Sequence, residues 1–134
     1  MFIERAEEFN RILPAAVRFL YGGVTEEILL RWGVMTFLVW LLSKIFQRGE
    51  GPPRAMWFIV SIVGSALLFG AGHLPLAAAL AGGLTLTVVA YVIAANSLFG
   101  IVAGILYWRY GLESAVIAHV ATHIVLTGAI ALAL

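Results

Sequence analysis

The chain has 134 residues, of which 63% are hydrophobic and 11% are charged, and its mean hydropathy is +1.04. Soluble domains carry roughly 25% charged residues, so this composition excludes a soluble globular domain and indicates that the bilayer is the solvent. The net charge of +1 gives no electrostatic basis for binding nucleic acid, and the absence of cysteine excludes disulfides and thiol chemistry.

Residues 1–20 are predicted to form an amphipathic helix that lies on the membrane surface, because their apolar and charged side chains separate onto two helical faces. Pro14 lacks an amide N–H and should kink this helix. Gly22 and Gly23 are then expected to break the chain. Thr25 would serve as the N-cap of the helix that follows.

Four longer apolar stretches are predicted to cross the membrane, since each approaches the length of about 20 residues that a spanning helix needs. They cover about 24–45, 55–72, 87–109 and 112–133. Residues 76–81 predict a short re-entrant or surface helix, because a single helix from Pro75 to Arg109 would be about 50 Å long. The sequence therefore predicts one all-α integral membrane domain over residues 1–134.

Few ionisable side chains remain once the terminal helix and the loops are set aside, and charges within spans usually mark a functional interior. Glu27 and Arg31 are four residues apart with the acid first, which is the favourable order for an ion pair along a helix. Glu26 is turned by about 100° from Glu27 and cannot share that arginine. The other members of the set are the three histidines of the chain, His73, His119 and His123.

Three of the predicted helices thus present polar groups that hydrocarbon would reject, and we expect these groups to face one another around a wet cavity. A carboxylate there could act as a general base, a histidine could share its water, and two histidines on one helix face could donate to an oxyanion. This set is sufficient for the hydrolysis of an amide without a metal or a covalent intermediate.

Each of these residues also has a structural interpretation. Glu27 and Arg31 could be no more than an internal ion pair. His73 could bond a free carbonyl at a helix end, and the histidine pair of the last span could hold helices together or form half of a metal site. Asn96, the one strongly polar residue within the third span, is predicted to support helix packing.

The order of these residues resembles the three-motif signature of the CPBP family of intramembrane endopeptidases (CAAX protease and bacteriocin-processing, also called ABI). The three motifs are Glu26-Glu27-x-x-x-Arg31, Phe69-x-x-x-His73 and His119-x-x-x-His123. The resemblance covers roughly residues 20–125, with the motifs on successive hydrophobic helices. It implies a glutamate-dependent intramembrane protease that uses no metal or other cofactor.

The resemblance implies a role for each residue of the first two motifs. Glu26 would be the base that activates water, and Glu27 and Arg31 would be its structural support. His73 would position that water, and Phe69 would be a supporting residue of the same motif.

The last motif implies a pair of oxyanion donors, His119 and the residue at position 123. The family usually has Asn or Asp where this chain has His123, which is larger and titrates. The chain is also shorter than most members and resembles the catalytic core alone, which favours either a homo-oligomer or a degenerate or fragmentary protein.

We therefore expect a multi-pass protein of the cell membrane that cleaves a peptide or membrane-protein substrate within the lipid bilayer. Two alternatives stay open. The free glutamate and the three histidines could bind zinc in a metalloprotease, although no H-E-x-x-H motif is present. The shortness of the chain also favours a non-catalytic immunity or scaffold protein.

Overall fold

The computed structural model describes residues 14–133 together with Arg5, Glu8 and Ile12, and every regular element in these residues is a helix. Four helices in this part of the chain are long and apolar enough to cross a membrane. The chain is therefore an all-α, multi-pass membrane protein. Half of the residues in the surface helix expected over 1–20 lie outside the described residues, so this helix stays a prediction.

The first spanning helix, α1, covers Phe19–Phe46, so it begins before the predicted start at residue 24. A helical turn at Ala15–Val17 leads into it. The predicted break at Gly22 and Gly23 is wrong, because both glycines lie inside the helix, in a π-helical segment that covers Arg18–Thr25.

Wide π-type hydrogen bonds carry α1 through the two glycines. The amide of Glu26 donates to the carbonyl of Tyr21, five residues earlier. Thr25 is an interior residue rather than an N-cap, and its hydroxyl donates to the Leu20 carbonyl at 3.1 Å. A second π-helical segment covers Ile28–Met35. The motif glutamates therefore lie between two π-helical segments, which frequently occur at functional sites.

The other helices follow the predicted spans closely. They are α2 at Ala55–Gly72, α3 at Leu74–Ala81, α4 at Leu86–Tyr110 and α5 at Leu112–Ala133. A short helix, α3, is present where one is expected over 76–81, while its re-entrant or surface position stays a prediction. It has Pro75 in its first turn and ends at Gly82, whose φ of 72° is left-handed. The Thr85 hydroxyl caps α4 by accepting from the Val88 amide.

Gln47 organises the loop between α1 and α2 and is buried despite its polarity. Its amide nitrogen donates to the carbonyls of Glu50 and Pro52 at 2.6 and 2.9 Å. Its amide oxygen accepts from the backbone N–H of Arg54 and from the indole N–H of Trp57. These bonds reach across the loop and fix the start of α2 relative to the end of α1.

Small residues bring α4 into close contact with α2. A Cβ atom built at Gly100 would lie 2.9 Å from both Cα and Cβ of Ala66, and one built at Gly104 would lie 3.0 Å from Ile62. The Ser97 hydroxyl donates to the Ala66 carbonyl at 3.1 Å. The Gly100-x-x-x-Gly104 pair is thus a helix contact surface of the kind common in membranes.

We expect Gly100→Ala to destabilise the protein, because the new methyl group would meet the α2 backbone at Ala66. Overpacking of this kind costs about 1–3 kcal/mol. Gly128→Ala is the matched control, since no described atom lies within 4 Å of its Cβ position. Thermal unfolding in detergent micelles measures both variants, and equal melting temperatures would contradict the close contact between α2 and α4.

Candidate active site

α1 places its two adjacent glutamates in different surroundings. The Glu27 side chain is completely buried, whereas the Glu26 side chain keeps 21% of its surface exposed. Neighbouring residues of a helix point about 100° apart, so a single helix can direct one carboxylate into the interior and the other to a partly open position.

Glu27 joins α1 to α5 through a buried network of charged groups. Nε of Arg31 donates to Oε2 of Glu27 at 2.9 Å, along the helix as the spacing predicts. The other carboxylate oxygen, Oε1, lies 2.8 Å from Nδ1 of His119, a contact that sequence reasoning missed. All three side chains are at most 5% exposed, so each charge depends on its partners for stabilisation.

The contact with Glu27 fixes the tautomer of His119. An ionised carboxylate only accepts hydrogen bonds, so Nδ1 of His119 carries a proton. Nε2 of the same ring faces Glu26, whose Oε2 lies 3.8 Å away. His119 is therefore hydrogen-bonded to the buried glutamate and within charge-interaction distance of the partly open one.

His73 approaches Glu26 from the end of α2. Its Nδ1 lies 2.8 Å from the Phe69 carbonyl, and because a carbonyl only accepts, this nitrogen carries a ring proton. The half-buried ring packs edge-on against Phe69 with ring centroids 4.6 Å apart. His73 lies near enough to Glu26 to interact with it electrostatically, as His119 does, so the end of α2 and α5 each bring a histidine to the surroundings of this carboxylate.

His123 stacks on His119, one turn further along α5. The ring centroids are 5.0 Å apart and the ring planes differ by 10°. His123 also meets α1 at Gly22, where a Cβ atom would lie 2.6 Å from Nε2 of the ring. His119 is 4% exposed and His123 is half-buried, so this pair packs inside the protein rather than facing lipid.

Two phenylalanines surround the histidines. Phe69 packs edge-on against His119 at 5.9 Å, and the guanidinium group of Arg31 lies 5.6 Å from the centre of its ring. Phe99 of α4 packs against His119 at 4.5 Å. Sequence reasoning missed Phe99, because nothing local distinguishes it from other aromatic residues of the spans. Such apolar walls strengthen the charge interactions that they enclose.

Asn96 bonds to its own helix. Its side-chain amide donates to the Val92 carbonyl at 2.8 Å, so this bond does not join two helices. The Asn96 side chain is half-buried. A supporting role for Asn96 at the site stays a prediction.

The zinc alternative requires histidine nitrogens and carboxylate oxygens that point to a common position. Zinc sites in proteins use three or four ligand atoms that converge on one point. In the described part of the chain, no three His, Asp or Glu side chains form such a group. Nδ1 of His119 is already directed to Glu27, which leaves only Nε2 of that ring for a metal.

A separate pocket of about 580 Å³ lies toward the opposite ends of the spanning helices. Residues from the second half of α1, the start of α2 and the end of α4 line it, among them Trp40, Phe58 and Trp108. Its lining includes no residue of the three motifs. This pocket is therefore distinct from the candidate active site.

Comparison with known protein families identifies a match that covers most of the chain. The family model described as Type II CAAX prenyl endopeptidase Rce1-like matches residues 8–125, a stretch that contains all three motifs. No curated protein and no solved structure matches the chain.

We expect Glu27→Gln to destabilise the protein strongly, because it removes the carboxylate that is hydrogen-bonded to the completely buried Arg31. Breaking a buried pair in this way costs about 3–5 kcal/mol. Glu26→Gln is the matched control; it removes only a partly exposed contact, so its cost should be below about 1 kcal/mol. The melting temperatures of the two variants are measured in detergent. Equal decreases in melting temperature would show that the network around Glu27 does not hold the helices together.

Proposed function

The chain belongs to the type II CAAX prenyl endopeptidase Rce1-like family, and from this premise we propose that Glu26 is the general base of a metal-independent peptide hydrolysis. The chain is a CAAX protease-type endopeptidase with a peptide substrate and is associated with the membrane. The observation that best supports the mechanism is the position of the partly open Glu26, which lies 3.8 Å from Nε2 of His119 and within electrostatic reach of His73.

The first step of the proposed mechanism is the attack of water on the scissile carbonyl carbon. Glu26 takes one proton from the water as its oxygen forms the new bond. Nδ1–H of His73 is engaged by the Phe69 carbonyl, so in the neutral ring Nε2 can accept the other water proton in a hydrogen bond. Glu26 then passes its proton to the amine nitrogen as the C–N bond breaks, which restores the carboxylate.

The second requirement is a donor for the oxyanion of the tetrahedral intermediate. Because Nδ1–H of His119 is directed to Glu27, Nε2 can donate only when the ring carries both protons. We therefore assign His119 to the oxyanion in its imidazolium form, with the Glu27 carboxylate balancing the charge. His123, stacked on this ring, is the second proposed donor.

The family description supports a prenylated peptide of the CAAX type as the substrate class. Glu26 and the histidine pair lie within the candidate spanning helices, so a substrate has to reach them at the depth of the bilayer. A covalent lipid inserts into the membrane and would bring its attached peptide to that depth.

We expect Glu26→Gln to slow the cleavage of a farnesylated CAAX peptide at least about hundredfold, because general-base catalysis typically contributes about 10²–10⁴-fold. Glu113→Gln is the matched control, since this exposed glutamate lies in the first turn of α5, away from the motifs, and its loss should leave turnover unchanged. Mass spectrometry of the product from proteoliposomes measures both. Equal turnover by the two variants would remove Glu26 from the mechanism.

Metal independence has its own test. Purified protein treated with a strong zinc chelator should keep its full activity, and elemental analysis of that active sample should find less than one zinc per chain. Loss of activity on chelation, followed by recovery on adding zinc, would instead favour the metalloprotease alternative.

A further inference from the structure

Gly22 lies where α1 passes close to the histidine pair of α5. A Cβ atom at this position would lie 2.6 Å from Nε2 of His123, a separation that real Cβ atoms do not adopt. The neighbouring ring atoms Cε1 and Cδ2 would lie 3.4 and 3.5 Å away, which is ordinary contact. The conflict therefore involves one atom, the outermost nitrogen of the His123 ring.

The backbone itself does not require glycine at this position. Gly22 lies inside a right-handed π-helical segment, and its φ is not among the positive values that favour glycine. A side chain could be accommodated by the helix geometry. The requirement for glycine therefore comes from the ring of His123 on the opposing helix.

An asparagine at position 123 would relieve this requirement. Its side chain ends at the atoms that correspond to Nδ1 and Cδ2 of a histidine, one bond short of Nε2. The Cδ2 position is already 3.5 Å from the Cβ site of Gly22, which is normal van der Waals separation. Asparagine at position 123 would thus tolerate a Cβ at position 22, whereas the longer ring of His123 would have to move.

We propose that Gly22 is a positioning residue that admits His123 to the candidate active site and keeps its ring stacked on His119. The two rings are nearly parallel, and His119 in turn contacts both motif glutamates. A His123 ring pushed away from Gly22 would leave this stack or displace His119. The effect on activity rests on the proposed function, but the effect on ring position does not.

Gly22→Ala in the full chain tests the geometric part by NMR of histidine labelled at Cε1. The chain has three histidines, so each resonance can be assigned with single His→Gln variants. We expect Gly22→Ala to shift the resonances of His123 and His119. Gly33→Ala is the matched control on the same helix, because a Cβ there would lie 3.6 Å from the Ile28 carbonyl oxygen, which is ordinary contact, and it should shift them far less. Equal shifts, or none with Gly22→Ala, would overturn the proposal.

Combining Gly22→Ala with His123→Asn tests the activity part. We expect the alanine to lower kcat about tenfold in the native background, with KM unchanged, because small misplacements of catalytic groups are costly. In the His123→Asn background the alanine should have little further effect on kcat or on the His119 resonance. An equal effect in both backgrounds would overturn the proposal. If Glu26→Gln stays active while Gly22→Ala still shifts the resonances, the proposed function fails and the positioning role stands.

Discussion

The charge on Glu27 is the constraint on which the rest of the structure depends. A carboxylate within a spanning helix is costly unless partners surround it, and Glu27 has Arg31 on its own helix and His119 on α5. The arginine contact could form on an isolated helix. The histidine contact joins residues 92 positions apart and requires α1 and α5 to pack in one register. Satisfying Glu27 therefore fixes the rotation of α1, and that rotation turns Glu26 toward the histidines of α2 and α5.

Close helix packing makes this register possible. The carboxylate of Glu27 and the ring of His119 meet only if α1 and α5 approach closely, and Gly22 and Gly23 leave room for side chains of α5 at that point. Gly100 brings α4 against α2, and Phe99 next to it packs on the His119 ring. Inside a bilayer, where lipid is as apolar as leucine, such van der Waals contact takes the place of the hydrophobic effect. The same glycines thus determine both the packing of the helices and the shape of the site.

Local sequence patterns predict the features that depend on a single helix. The extents of α2 and α5 follow from hydropathy, because the bilayer imposes a similar length on every apolar helix. The Glu27–Arg31 pair follows from a fixed spacing on one helix. The predicted break at Gly22 and Gly23 is wrong because a glycine pair is compatible both with a break in a helix and with a close contact between helices. Which of the two occurs depends on the opposing helix. The His119 contacts with Glu27 and Phe99 cross between helices, and no local spacing encodes them.

The partner of each Nδ1 separates the roles proposed for the two histidines around Glu26. His73 donates to a neutral carbonyl, which offers no counter-charge at that nitrogen, so a neutral ring with an accepting Nε2 suits it. His119 donates to a buried carboxylate, which can balance an imidazolium and leaves Nε2–H available for an oxyanion. Two identical rings near one glutamate thus have different proposed proton states, one neutral and one doubly protonated. The roles of the two histidines differ because their Nδ1–H groups have different acceptors, the Phe69 carbonyl for His73 and the Glu27 carboxylate for His119. Glu27 is also the buried group that sets the packing of α1 on α5.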